Sequence, residues 1–382
     1  MTALRSRPNV ASRRRCIASL AAAASSVFAG AALAAKRQKS RPDPAQFGLT
    51  PAIVAFAADV TERRGIPNEW LRTQLAQARR LATVQRLIMP PPVGVAKNWA
   101  AYRARFIGPE RTAAGLAFWR EHAPVLARAE AQYGVPAALI VAIVGIETYY
   151  GRIVGNFRVL DALATLTFDF PKGRSDRSAF FREELEALFV WTHREGLDPA
   201  SVRGSFAGAL GLPQFMPGSL LRHAVDYDGD AHIDLRGSVA DAVGSVAHFL
   251  VNHGWQPGLA VQRPAVPPAD EAALKTLLAP DIEPTFALER LAELGVPLPP
   301  ELSGPGRAFG SGPFALVVLE NGADQPPTYV VATKNFWVVT RYNRSSYYAL
   351  AVAEFAEVLA AERERLNSSA PAPTLPPPPP GR

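Results

Sequence analysis

The chain has 382 residues, 48% of them hydrophobic and 20% charged, which is enough to bury a large core and too apolar for a disordered or fibrous protein. Its formal charge of +7 would suit a nucleic-acid or membrane partner, but Arg5, Arg7, Arg13, Arg14 and Arg15 precede residue 35 with no acid among them, and the remainder carries only +2. The basic balance therefore points to no partner, and nucleic acid is not expected as one.

Residues 1–35 read as a secretory signal: a basic stretch to Arg15, an Ala-rich apolar run from Ile17 to Ala35, and a small-residue ending at Ala32, Leu33 and Ala34. The run is weakly hydrophobic, which favours cleavage over retention as an anchor. Ser12-Arg13-Arg14 also permits a twin-arginine route. Removal would take the single cysteine, Cys16, leaving neither disulfide nor thiol. No later stretch has the unbroken apolar length of a membrane span, so a soluble periplasmic product is expected.

A basic linker follows over 36–49. From Thr50 to Ala131 the pattern predicts several helices, punctuated at Gly65-Ile66-Pro67 and Met89-Pro90-Pro91-Pro92. Pro136 then opens a markedly apolar helix from Ala137 to about Thr148, with Gly151 just past its end. Leu160 to Thr167 is ambiguous, Ser178 to Arg194 is an amphipathic helix, and Gly204 to Gly218 is studded with glycine. An acidic loop starts at Asp226 and precedes a helix from Val239 to His253. Past Pro264 a short helix is expected over Phe286 to Leu294, strands over Phe314 to Leu319 and Thr328 to Thr340, and a last helix from Ser346 to about Leu366. The proline run beyond, 367–382, suits an extended tail. The fold class read from this order is mainly α with an α+β part: a helical region over 50–264 and a small α/β part over 265–366.

Glu147 stands out among the acids. It follows Leu139-Ile140-Val141-Ala142-Ile143-Val144-Gly145-Ile146, so its carboxyl sits on the last turn of a core helix, where helix-end carbonyls and a low dielectric both disfavour ionisation. An acid kept protonated near neutral pH can give its proton to a glycosidic oxygen. An isolated glutamate at a helix end would more simply face solvent. Its surroundings argue otherwise: Tyr149-Tyr150-Gly151-Arg152 follow at once, and Gly204-Ser205-Phe206-Ala207-Gly208-Ala209 and Gln214-Phe215-Met216-Pro217 come later.

At these positions the sequence closely resembles the membrane-bound lytic murein transglycosylase B family. The resemblance continues through Leu160-Asp161-Ala162-Leu163, Gly244-Ser245-Val246-Ala247 and Thr340-Arg341-Tyr342-Asn343-Arg344-Ser345, in the same order over roughly 50–360. It implies a lysozyme-like helical catalytic domain whose small α/β part completes the groove. It also implies cleavage of the bond between N-acetylmuramic acid and N-acetylglucosamine in peptidoglycan without water, leaving a 1,6-anhydro sugar. Glu147 matches the catalytic acid. Ser205, Gln214, Phe215 and Met216 match groove positions, and Tyr102, Tyr342, Asn343 and Tyr348 match positions around the acid. Phe249 stands where the family often has tyrosine.

A single-acid mechanism agrees with the residues. A retaining or inverting hydrolase needs a second carboxylate across the sugar ring, and no motif compels Asp161 or Asp169 into that role. The rival readings are a hydrolytic muramidase on the same fold and a peptidoglycan-binding scaffold without turnover.

Asp226-Tyr227-Asp228-Gly229-Asp230-Ala231-His232 resembles the start of a calcium loop, with oxygen ligands at alternate positions and the His232 carbonyl. Ala231 replaces the usual glycine and Gly237 the closing glutamate; the family's later closing aspartate makes Asp241 the candidate. Structural calcium and a hydrogen-bonded acidic turn both remain open, and no cofactor is required by the chemistry. The six histidines show no zinc-ligand spacing, so His248 and His253 read as ordinary helix residues. Lys172, Arg174 and Arg177 form a basic loop that would meet peptide carboxylates or simply be solvated.

Overall fold

The computed structural model describes residues 46–90, 97–297, 310 and 312–369. The expected signal segment, most of the linker and the proline run from 370 onward lie outside these residues.

The first described stretch is helical. Thr50 caps α1 (Pro51–Arg64) by accepting from the Ile53 amide, Pro51 sits at the first turn where its missing N–H costs nothing, and Gly65 ends the helix in the left-handed region. Then come α2 (Asn68–Ala76), α3 (Ala82–Leu87), α4 (Trp99–Ala104), α5 (Pro109–Glu121) and α6 (Ala123–Tyr133). The apolar helix is α7 (Ala137–Thr148), with the expected bounds. Every residue of α7 except Glu147 is buried, because α5, α6, α11 and α15 (both given below) surround it. Burying its six large aliphatic side chains contributes on the order of 10 kcal/mol before chain entropy is counted.

A short strand, β1 (Phe157–Arg158), comes next, and the ambiguous stretch from Leu160 to Thr167 resolves into α8 (Val159–Phe168). α9 (Ser178–Arg194) follows as expected, then β2 (Arg203–Gly204), which pairs antiparallel with β1. α10 (Pro217–His223) and α11 (Val239–Asn252) flank the acidic loop. The remaining elements are β3 (Gln262–Pro264), α12 (Glu271–Leu278), α13 (Leu288–Glu293), β4 (Ala315–Leu319), β5 (Thr328–Ala332), α14 (Lys334–Thr340) and α15 (Ser346–Ser368).

Two features of this last third correct the sequence reading. The strand expected over Thr328–Thr340 stops at Ala332, and Lys334–Thr340 is helical. Thr333 makes the switch: its hydroxyl donates to the Ala260 carbonyl at 2.6 Å and accepts from the Asn335 amide at 3.0 Å. The buried Asn335 side chain then donates to the carbonyls of Gln256 and Leu259, both at 2.8 Å. β-branched and aromatic residues suited either element, and these long-range bonds decided.

The second correction concerns grouping. β3, β5 and β4 form an antiparallel sheet in that order. Side chains alternate across it, so Leu316 and Val331 enter a small core with Leu277, Leu291, Val296 and Phe314, while Ala315, Val317, Val330 and Ala332 face the main core. α15 belongs to the main core through Tyr348, Leu350, Val352, Phe355 and Leu359, against α7. Residues 265–366 are therefore not one small part; the late helix completes the helical core. It also runs to Ser368, two residues beyond the expected end.

Candidate active site

Glu147 is the one residue of α7 that reaches the surface, and its carboxyl Oε1 accepts a 2.6 Å hydrogen bond from the Tyr348 hydroxyl on α15. Burial pushes its pKa up to about 7, with the Tyr348 bond pulling the other way. Burial, together with the charge of Glu147, raises Tyr348 and Tyr342 well above the ordinary tyrosine value, so both remain donors.

The backbone just past the acid is tightly constrained. Tyr149 and Tyr150 both adopt left-handed conformations, at φ 51° and 58°, which costs about 1–2 kcal/mol each for a residue with a Cβ. Thr148 holds this turn: its hydroxyl donates to the Leu212 carbonyl at 3.0 Å and accepts from the Gly151 amide at 3.1 Å. Tyr150 packs into space that only glycine leaves, since a Cβ at Gly115 or Gly145 would collide with its hydroxyl. The helix end is thus closed by tyrosines, and Gly151 comes two residues later than the cap itself.

Tyr342 lies on the connection between α14 and α15. Its ring stacks on Tyr348 at 6.1 Å with 17° between planes, and its hydroxyl donates to the Pro213 carbonyl at 2.8 Å. Phe249 and Phe215 stand behind it at 4.8 and 5.8 Å. Phe215 is only 2% exposed, so the expected groove contact is corrected to a support under Tyr342. Tyr102 stacks on Trp99 and shares the electrostatic surroundings of Glu147. Ser205 accepts from the amides of Ala207 and Ala209 at 3.3 and 3.0 Å, so its hydroxyl shapes the glycine-studded turn. Gln214, itself at φ 51°, donates to the Gly211 carbonyl at 2.8 Å, and Met216 caps α10. Asn343 is exposed on the connection to α15.

Arg111 gave no sequence signal. Its guanidinium donates to the Gly145 carbonyl in the last turns of α7 and lies 4.5 Å from the Tyr149 ring, with Arg152 at 4.6 Å from the same ring. A 390 Å³ cleft lined by Phe106, Gly108, Arg111 and Tyr149 opens beside this stack. A larger, 510 Å³ cavity between Trp191, Leu220 and Leu235 includes neither Glu147 nor its tyrosines. In the basic loop, Arg174 donates to the Ile88 carbonyl and Arg177 lies over Phe180 at 4.7 Å.

The two other acids near in sequence are committed elsewhere. Asp161 accepts from the Arg79 amide at 2.9 Å and faces Arg158, while Asp169 pairs with Arg80 and accepts from Gln85 at 2.7 Å.

Residues 49–357 match the family described as the transglycosylase SLT domain. The chain belongs to this family. It is 36% identical over 327 residues to membrane-bound lytic murein transglycosylase B of Escherichia coli K12, covering 83% of this chain and 85% of that one. Its fold matches soluble lytic transglycosylase SltB1 of Pseudomonas aeruginosa with a TM-score of 0.72 at 38% identity, over 82% of this chain and all of the other. Escherichia coli Slt35 in complex with calcium matches with a TM-score of 0.68 at 36% identity, over 82% and 94%. The mainly helical, lysozyme-like architecture expected from the sequence is the one these enzymes share.

The acidic loop gathers Asp226, Asp228 and Asp230, all exposed, with a carboxylate oxygen of each within 4.8 Å of the others. Asp241 does not join them. It is 1% exposed, and its two oxygens accept from the amides of Tyr227 at 2.7 Å and Asp234 at 2.8 Å, which makes it the clasp of the loop; the expected ligand role is corrected accordingly. The His232 amide donates to Asp230, leaving its carbonyl uncommitted among the described bonds. No single described helix is long and apolar enough to cross a membrane.

Proposed function

We infer that this family member is a peptidoglycan lytic transglycosylase, cleaving the N-acetylmuramic acid to N-acetylglucosamine bond to leave 1,6-anhydromuramic ends in cell-wall turnover. The observation that carries the reading is Glu147: a desolvated acid with a pKa near 7 whose one oxygen is held by Tyr348.

Tyr348 holds Oε1, so Oε2 is the oxygen free to carry the reacting proton. Glu147 donates it to the departing glycosidic oxygen, and the anomeric carbon takes on cation character. The carboxylate left behind is stabilised by the Tyr348 hydroxyl. It then takes the proton from the muramic 6-hydroxyl as that oxygen attacks the same carbon, and Glu147 is protonated again. Because the nucleophile is part of the substrate, no second carboxylate is needed to activate water. Tyr342, Tyr102 and Asn343 line the approach and orient the sugar, Ser205, Gln214 and Met216 form the facing segment, and Phe215 and Phe249 hold Tyr342 in position.

In the acidic loop, Asp226, Asp228, Asp230 and the His232 carbonyl form an all-oxygen set suited to a hard cation. Calcium there would stiffen the loop and take no part in the chemistry. The Leu212 amide donates to the Leu235 carbonyl at 2.8 Å, so the loop is tied to the segment that carries Gln214. Export by the 1–35 segment into the periplasm, with glycan strands as the partner, completes the proposal.

Mass spectrometry of products from purified protein and peptidoglycan sacculi tests it. Anhydromuramic ends are expected. Reducing ends, heavier by one water, would mean a muramidase, and binding without release would mean a scaffold.

A further inference from the structure

Three histidines that are scattered in sequence meet on the outer end of α10 and α11. His223 is the last residue of α10, His248 lies on α11, and His253 follows its end. Asn252, exposed and one turn beyond His248, reaches both of the first two: its amide Nδ2 is 3.1 Å from His223 Nδ1 and 3.2 Å from His248 Nε2.

The hydrogen bonds fix which ring nitrogens carry protons. His248 Nδ1 lies 2.9 Å from the His223 carbonyl and His253 Nδ1 lies 2.7 Å from the Phe249 carbonyl. A carbonyl only accepts, so each of those nitrogens carries a proton, and in the neutral ring Nε2 keeps its lone pair. The Asn252 NH2 group donates to both His248 Nε2 and His223 Nδ1, so the latter also presents its lone pair. Two imidazole lone pairs thus converge on a single point near the surface. A backbone carbonyl holding the far N–H of a ring is also the arrangement that orients histidine toward metal ions.

We propose that His223 Nδ1, His248 Nε2 and the Asn252 amide oxygen form a binding site for a divalent first-row transition metal such as zinc. Binding requires the Asn252 NH2 group to swing off both lone pairs, after which its amide oxygen can turn toward the ion as a third ligand. His253, whose ring lies 5.0 Å from that of His223, stands beside the site. The imidazole donors separate this site from the all-oxygen acidic loop, which suits harder ions. The ion would brace the α10–α11 junction, where Phe249 lies 4.2 Å from the His253 ring and 4.8 Å from Tyr342.

The test is competition for Zn2+ between the untagged full chain and a chromophoric chelator, with thermal unfolding measured in the same buffers. About one equivalent should bind competitively with a rise in Tm, and His248→Ala and Asn252→Ala should each weaken binding by about tenfold or more. Asn252 is exposed, so its variant keeps the fold and separates ligand loss from misfolding. Asp228→Asn, in the acidic loop, should leave Zn2+ binding unchanged. No competitive binding, binding that survives His223→Ala/His248→Ala, or binding lost only with Asp228→Asn would each overturn the proposal.

Discussion

Removing the Tyr348 hydroxyl tests how the structure sets the protonation of its acid. In Tyr348→Phe the ring remains in its buried site, and the substitution deletes the 2.6 Å bond to Glu147 Oε1. That bond favours the carboxylate, and it opposes the burial that brings Glu147 to about 7. A hydrogen bond to a charged group contributes about 1.5–3 kcal/mol, and one pKa unit corresponds to about 1.4 kcal/mol, so the acid should rise by about one to two units. The proton donor is the protonated form, so activity falls as pH climbs through this pKa. The variant's alkaline limb should therefore move upward, although its maximal rate falls because the carboxylate formed on proton transfer has no donor to stabilise it. Clearing of sacculi across pH 5–10 at subsaturating substrate reads the limb of the free enzyme. An unmoved limb, or one displaced to lower pH, would refute the assignment of Glu147 as the titrating acid.

Stability should carry the same signature. Folded Glu147 keeps its proton to about pH 7 while the unfolded chain loses it near 4.5, so between these values the folded state binds more protons and stability declines as pH rises. Glu147→Gln should remove that decline, matching the parent below pH 4.5 and exceeding it by about 3 kcal/mol above pH 7 in urea unfolding, with cleavage suppressed by orders of magnitude. Gly145→Ala should destabilise by about 1–3 kcal/mol in the same assay, because its Cβ enters the space of the Tyr150 hydroxyl and outweighs alanine's better helix propensity. Asp241→Ala should cost about 2–5 kcal/mol by stranding the amides of Tyr227 and Asp234; a change under about 0.5 kcal/mol would contradict the clasp.

The sequence by itself determined the helices whose ends are punctuated, α1, α7 and α9 above all, because proline, glycine and polar caps act within a few residues of the bond they make or forbid. It also isolated Glu147, since an acid closing an unbroken apolar run is visible without any partner, and it supplied the ordered motifs that mark the family. The tertiary structure decided the rest through contacts between distant residues. Asp241 is a candidate ligand by the family resemblance but is consumed by loop amides, and Phe215 reads as groove but is covered by Phe249 and Tyr342. Lys334–Thr340 has the composition of a strand and is helical because Asn335 is bound to carbonyls 76 and 79 residues earlier. The hydroxyl that opposes the effect of burial on the proton affinity of Glu147 lies 201 residues away on another helix. Local pattern records which face of an element is apolar, whereas which side chain meets which across a core is fixed only when the elements pack.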